Sequence, residues 1–246
     1  MTKRAVVLLS GGLDSTTAAA WGKSQGFELF ALTINYGQRH KIELDAARRV
    51  GEVLQVSRHV FLDVDLAAFG GSSLTSDSLD VRHDVPLEQI GNEIPNTYVP
   101  ARNTVFLSLA LAFAETVGAA DIILGINAAD YSGYPDCRPE YLDTFAKMAD
   151  LATKAGVEGT LQLQFHAPLM TLGKSEIVKL GMSMGVDFSL THTCYSPTAD
   201  GKSCGCCESC LLRLNGFKEA SVADPIKYGI LYTKKLETEV SNGQRN

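Results

Sequence analysis

Apolar and polar positions fall in blocks that read as strands alternating with helices. Residues 5–10 (Ala-Val-Val-Leu-Leu-Ser) form an apolar run closed by Gly11 and Gly12, the pattern of a parallel strand buried on both faces. A helix is predicted from Asp14 to Ser24, with Gly26 as its C-terminal cap. A second strand is predicted over Leu29 to Ile34. From His40 to Gln55, Ile42, Ala46, Val50, Val53 and Leu54 recur at helical spacing. Arg58 to Leu62 reads as a third strand. Residues 70–96 break the rhythm: rich in Gly, Ser, Asp and Pro, they predict a long functional or mobile loop. Helix resumes after Asn103, read as its N-cap, with Phe106, Leu109, Ala110, Phe113 and Val117 on one face. Asp121 to Ile126 predicts another strand. Leu142, Phe145, Ala149 and Ala152 mark a further helix, and Lys174 to Met184 another.

This alternation predicts an α/β fold: a Rossmann-like, doubly wound parallel sheet covered on both faces, with ligand beyond the C-terminal strand ends. Ser10 to Asp14 then fall in the ligand crevice. The expected organisation is one α/β domain over residues 1–190 and a small cysteine-bearing element over 191–246, packed on it.

With 45% hydrophobic and 20% charged residues, the 246-residue chain can bury a core and is too apolar for disorder. No apolar run approaches the roughly 20 residues that span a bilayer. The apolar stretch Ala5 to Leu9 is shorter than a signal-peptide core. A cytoplasmic location without membrane contact is therefore expected. The 22 basic and 28 acidic residues give a net charge of −6, which favours a small-molecule enzyme over a nucleic-acid binder.

Cys137 stands alone, but Cys194, Cys204, Cys206, Cys207 and Cys210 fall within one short segment. In a reducing compartment, clustered thiols are more often metal ligands or catalytic groups than disulfides. Cys194, Cys204, Cys207 and Cys210 supply four thiolates whose short spacings let neighbours converge, as a tetrahedral Zn²⁺ requires. Four protein ligands leave no open position, so the site is read as structural. With little apolar sequence around it, the segment is expected to depend on the metal for its fold. An iron–sulfur cluster is the chemical competitor. Cys206 is surplus and expected to point outward, and His192 is expected outside the ligand set.

Ser10-Gly11-Gly12-Leu13-Asp14-Ser15-Thr16-Thr17 sits between a predicted strand and helix. The glycines allow positive φ and close backbone approach. Exposed amides and the positive end of the helix dipole offer an anion site, and Ser10, Ser15, Thr16 and Thr17 add hydroxyl donors. Asp14 would repel a phosphate; a capping or Mg²⁺-linked role reconciles it. The competing reading is a tight turn capped by Asp14 or Ser15. The spacing matches neither the Walker loop nor the GxGxxG fingerprint.

The full string resembles the SGG-x-DS signature of the PP-loop ATP pyrophosphatases, which split ATP to AMP and pyrophosphate. That resemblance implies an adenine nucleotide alpha hydrolase-like fold. It also implies ATP held along Leu9, Ser10, Gly11, Gly12, Leu13, Asp14, Ser15, Thr16, Thr17, Ala18 and Ala19. Two more stretches narrow the match: Thr97-Tyr98-Val99-Pro100-Ala101-Arg102-Asn103, and Asp130-Tyr131-Ser132-Gly133-Tyr134-Pro135-Asp136-Cys137-Arg138-Pro139-Glu140. With the cysteine array, they make the chain from Ala5 to Phe217 similar to the 7-cyano-7-deazaguanine synthase family, QueC, of queuosine biosynthesis.

The resemblance implies conversion of 7-carboxy-7-deazaguanine, ammonia and ATP to the nitrile through an adenylated acid and an adenylated amide. It further implies Mg²⁺ with the ATP, one structural zinc per chain, and a homodimer. Such chemistry needs positioning and phosphate stabilisation more than a protein nucleophile. Ser10, Asp14, Ser15 and Arg102 are the candidate catalytic residues, the permanently charged Arg102 facing pyrophosphate. Arg102, Asp130, Tyr131, Tyr134, Asp136 and Arg138 are candidate substrate residues. In this reading Asp130 or Asp136 accepts from a guanine-like amino and ring N–H edge, and Tyr131 or Tyr134 stacks on the base. Lys174 reads either as a phosphate ligand or as an ordinary helix-start residue, and Cys137 is not expected to act as a nucleophile. Rival readings are a tRNA thiolase, a zinc-ribbon nucleic-acid module and a different ammonia-using amide ligase.

Overall fold

The computed structural model describes residues 3–127 and 134–229. The first apolar run becomes strand β1 (Arg4–Leu8), and its side chains alternate between two cores. Ala5 and Val7 pack into one core, Val6 into the other. The chain continues through α1 (Leu13–Ser24), β2 (Glu28–Asn35), α2 (Ile42–Leu54), β3 (Arg58–Asp63), α3 (Arg102–Val117) and β4 (Asp121–Ile123). It ends with α4 (Pro139–Ala152), α5 (Lys154–Val157), β5 (Gln164–His166), α6 (Lys174–Ser183) and α7 (Glu208–Glu219).

All five strands pair in parallel, in the order β3-β2-β1-β4-β5. One face is covered by α1, α2, α6 and α7 through residues such as Ala18, Ala47, Ile177 and Phe217. The other is covered by α3 and α4 through Leu107, Ala110, Leu142 and Phe145. The chain moves outward from β1 to β3 and then resumes on β1's other side as β4. That reversal opens a crevice at the carboxyl ends of β1 and β4, where such sheets bind ligands. The doubly wound fold is as the sequence pattern predicts. No helix among the described residues is long and apolar enough to cross a membrane.

Three elements depart from the pattern. α3 starts at Arg102, behind Ala101 in a left-handed conformation, so Asn103 lies inside the first turn and is not the N-cap. Its amide instead donates to Asp136 Oδ2 at 3.1 Å, a cap supplied from a distant segment. Strand β5 escapes the sequence pattern because it is only three residues long. It is held by pairing with β4 and by His166 Nε2 at 2.6 Å from Asp121 Oδ1.

Helix α7 is the third, hidden by its polar composition. Its Arg213 is 1% exposed and sits bidentate on Asp224 at 2.7 and 2.9 Å, also donating to Thr191 Oγ1 at 2.7 Å. The 70–96 segment is irregular apart from a short turn at Leu87–Gln89. Its Leu74 and Val81 are buried, the Asp84 amide donates to Cys206 O at 2.8 Å, and Arg82 pairs with Glu208 at 2.9 Å. The segment is therefore pinned to the cysteine region.

Candidate active site and cysteine cluster

A cavity of about 230 Å³ opens at the carboxyl ends of the central strands. The loop after β1 forms its floor. Gly11 has φ +80°, and a Cβ there would collide with the Ala47 backbone and lie 2.6 Å from Glu43 O. Only glycine lets α2 close against the loop. Gly125, at the exit of β4, likewise has Ser15 Cα 2.7 Å from where a Cβ would stand, so β4 abuts the start of α1.

Ser10 and Ser15 hydroxyls meet at 2.9 Å, and Ser15 Oγ also donates to Gly12 O at 3.2 Å. Neither Asp14 nor Ser15 caps α1: its N-cap is Gly12, without a side-chain bond. The amides at that end are thus left for a ligand, as an anion site requires. Asp14 accepts from Lys174 Nζ through both oxygens at 2.8 Å. That ion pair balances the acid's charge inside the loop.

Leu9, Ser10, Gly12, Leu13, Asp14 and Ser15 line the cavity. The other five residues of the predicted stretch do not. Thr17 Oγ1 bonds back to Leu13 O at 2.9 Å, Ala18 and Ala19 are buried against the sheet, and Thr16 faces a smaller cleft beside α2. The predicted hydroxyl donors Thr16 and Thr17 therefore turn away from the cavity, because helical periodicity carries Thr16 toward α2 and Thr17 toward Gly181 of α6. Gly11 shapes the loop from behind, its carbonyl accepting from the His192 amide at 2.9 Å.

Arg102 lines the cavity with its guanidinium 5.5 Å from the Tyr36 ring centroid and 5.9 Å from that of Phe106. Burial works against its charge, but Tyr36, Tyr134, Tyr195 and Asp136 outweigh this and raise its pKa. Tyr134 lines the cavity too, its hydroxyl 3.0 Å from Thr97 Oγ1.

Asp136 is buried but is engaged in capping α3, and it does not line the cavity. Its Oδ1 is buried without a partner. Arg138 is exposed at the N-cap of α4, away from the cavity. Asp130 and Tyr131 lie outside the described residues. Cys137 reaches the cavity, and burial pushes its thiol up to about 12, which removes it as a neutral-pH nucleophile.

The sequence reading missed one wall entirely. Tyr36 and Glu43 line the cavity, and Gln38 Nε2 holds Glu43 Oε1 at 2.8 Å. The signal was available: a polar, aromatic stretch immediately after the second predicted strand, at the sheet edge where ligands bind. His192, Thr193, Tyr195 and Ser209 form another wall. His192 is buried, its Nε2 has no partner, and burial lowers its pKa to about 4. It lies in the cavity wall, neither in the cysteine set nor in solvent.

The four predicted cysteines do converge. Their sulfurs lie within 4.8 Å of one another and all four are buried. Cys194 and Cys204 sulfurs are 3.5 Å apart, Cys204 and Cys210 3.9 Å. Sulfurs at tetrahedral corners around a Zn²⁺ at about 2.3 Å would stand about 3.8 Å apart. Amides of Cys204 and Cys207 point at Cys194 and Cys204 sulfurs at 3.2 and 3.3 Å, an arrangement that favours thiolates. The donor set therefore fits one tetrahedral thiophilic ion. Cys206 stands outside it, partly exposed and near His83. Ser209 Oγ donates to Thr193 O at 2.7 Å, so the cluster's helix braces the cavity wall.

The fold and loop define an α/β site at the carboxyl ends of a parallel sheet, with one wall braced by the cysteine-bearing helix. The family model for queuosine biosynthesis protein QueC matches residues 4–221. The 7-cyano-7-deazaguanine synthase of Kineococcus radiotolerans is 59% identical over 93% of this chain and 99% of its own. That of Geotalea uraniireducens is 56% identical over 93% of this chain and 98% of its own. That of Geobacter metallireducens is 52% identical over 98% of this chain and 100% of its own. The chain belongs to the QueC family.

Proposed function

We infer that this chain is an ATP-dependent ligase that converts 7-carboxy-7-deazaguanine and ammonia to 7-cyano-7-deazaguanine. The observation that carries this is the 59% identity with a 7-cyano-7-deazaguanine synthase along nearly the full length of both chains. A carboxylate is a poor electrophile. Transfer of AMP to its oxygen gives an acyl adenylate with a good leaving group, and ammonia attack gives the amide. A second adenylation on the amide oxygen, followed by loss of AMP, gives the nitrile.

In this reading the amides at the start of α1, with Ser10 and Ser15, receive the phosphates of ATP, accompanied by Mg²⁺. Lys174 keeps Asp14 from repelling them. Arg102 stabilises charge on the departing pyrophosphate, which its fixed charge and donor fork suit. Tyr36 and Tyr134 flank the space for the base. Cys194, Cys204, Cys207 and Cys210 hold a structural zinc that supplies cross-linking alone. Residues 191–246, of which 230–246 lie outside the described residues, then form an element that packs on the α/β domain of residues 1–190. A homodimer in the cytoplasm belongs to the same reading. A sulfur-relaying tRNA thiolase is disfavoured by the thiol of Cys137, which burial holds protonated.

Mass spectrometry of products tests this, using protein incubated with ATP, Mg²⁺, ammonium and 7-carboxy-7-deazaguanine. The expected result is the nitrile, with AMP formed only when the acid is present. Metal-loaded, folded protein that yields neither would sink the assignment.

A further inference from the structure

One acid in the cavity is not used by the chemistry above. Glu43 sits in the first turn of α2 with its side chain in the cavity wall. Gln38 donates to it at 2.8 Å, and Gln38 Oε1 accepts from the Tyr36 amide at 2.8 Å. Gln38 is buried, so the carboxyl group is fixed by a neutral donor that is itself fixed. The same turn presses its Glu43 carbonyl against Gly11. Glu43 is therefore built into the corner that carries the nucleotide-type loop.

Around this cavity stand Tyr36 and Gln38 from the segment after β2, Arg102 from α3, Tyr134 ahead of α4, and His192 and Tyr195 ahead of α7. Burial pushes Glu43 up to about 7, against the opposing pull of Arg102 and the Gln38 bond. Other acids of the wall are placed differently. Asp14 is paired with Lys174, while burial pushes Cys137 up to about 12 and the Tyr36 and Tyr134 phenols above their ordinary range. A base poised near the working pH can accept a proton during reaction and return it to solvent afterwards.

The final step of the proposed reaction needs such a base. We propose that Glu43 takes the proton from nitrogen when the adenylated amide collapses to the nitrile. The electrons of the N–H bond become the third carbon–nitrogen bond. The carbon–oxygen bond to AMP breaks, and AMP leaves with that electron pair. The proton rests on Glu43 and passes to water. This role rests on the nitrile-forming reading given above.

The test compares wild type with Glu43→Gln, which keeps an acceptor for Gln38. Each is given the acid or 7-amido-7-deazaguanine, with ATP, Mg²⁺ and ammonium, and acid, amide, nitrile and AMP are measured by mass spectrometry. The variant is expected to form AMP and amide from the acid within a few-fold of wild type. Nitrile formation should fall by on the order of 10²–10⁴-fold, so that amide accumulates. Wild-type nitrile formation from the amide should rise with pH through about 7. Nitrile formation by the variant at the wild-type rate, or a wild-type profile flat across that range, overturns the role of Glu43. The pH profile decides the matter even if the variant folds poorly. Failure of wild type to form AMP with the acid would overturn the reaction itself.

Discussion

Lys174 Nζ stands 2.8 Å from both carboxylate oxygens of Asp14, joining the first turn of α6 to the first turn of α1. The side chains are only 7% and 19% exposed, so each charge depends on the other. Removing one partner leaves a poorly solvated charge, which typically costs about 3–5 kcal/mol. Lys174→Met should therefore destabilise the protein by roughly this amount, while Asp14→Asn with Lys174→Met should recover part of it. Urea unfolding of the single and double variants measures the coupling. Strictly additive losses would show the pair to be incidental.

Glu43 gives stability a pH dependence whose sign follows from its raised pKa. The folded protein holds this proton up to about 7, against an ordinary value of 4.5. Between these values the folded state binds more protons than the unfolded, so stability falls as pH rises through the window. Glu43→Gln removes that loss. The variant should match wild type near pH 4 and exceed it at pH 8 by at most about 3.5 kcal/mol, each pKa unit being worth about 1.4 kcal/mol. Urea midpoints at both pH values check this, and an equal difference at both would remove the buried acid as its cause.

Much of this could be read from the sequence, and the gaps share physical causes. Continuous apolar runs such as residues 5–9 identify strands buried on both faces, and the alternation of Val6 and Val7 between the two cores is what makes that run continuous. The cysteine set is legible because tetrahedral ligation demands short spacings. What sequence periodicity cannot supply is partnership across the fold. Nothing local to Asn103 announces that Asp136 caps its helix, and nothing near Asp14 announces Lys174. Thr16 and Thr17 stand apart from the cavity because a motif is linear, whereas the helix turns them toward α2 and α6. Glu43 went unnoticed for the opposite reason: on an amphipathic helix, an acid in the first turn looks like ordinary solvated charge.

The cysteine cluster predicts a metal that is structural for the cavity as well as for its own loop. Removing it with a chelator should free the segment around 192–210, and with it the bond from the His192 amide to Gly11 O. Hydrogen exchange should rise in both places, and ATP affinity should fall. Cys207→Ser should purify without its full complement of one metal per chain, because it removes one of the four clustered sulfurs. Cys206→Ser should retain the metal, since Cys206 lies outside that set. Metal analysis beside exchange measurements distinguishes these outcomes, and loss of metal in the Cys206 variant would contradict the ligand set.

The two glycines of the loop should fail in different ways when replaced by alanine. Gly11 combines φ +80° with a backbone wall, since a Cβ would collide with Ala47 and crowd Glu43 O. Left-handed strain costs an L-residue about 1–2 kcal/mol before any collision. Because the obstruction is backbone, α2 must shift to relieve it, and Glu43 and Arg102 would lose their common setting. Gly12 has φ −78°, which any residue adopts, and an added Cβ would meet the side chains of Thr193 (Cγ2 at 3.3 Å) and Ser10 (Oγ at 3.4 Å), with the nearest backbone atom, His192 O, at an ordinary 3.7 Å. Its methyl group would instead intrude at the cavity floor, beside the amides that begin α1. Gly11→Ala should therefore lower the thermal midpoint by several degrees and abolish activity. Gly12→Ala should melt close to wild type while its KM for ATP rises at least about tenfold, equivalent to about 1.4 kcal/mol. Thermal scans and ATP titrations on both variants separate the two effects, and equal destabilisation would mean that the loop's shape is not set by contact with α2.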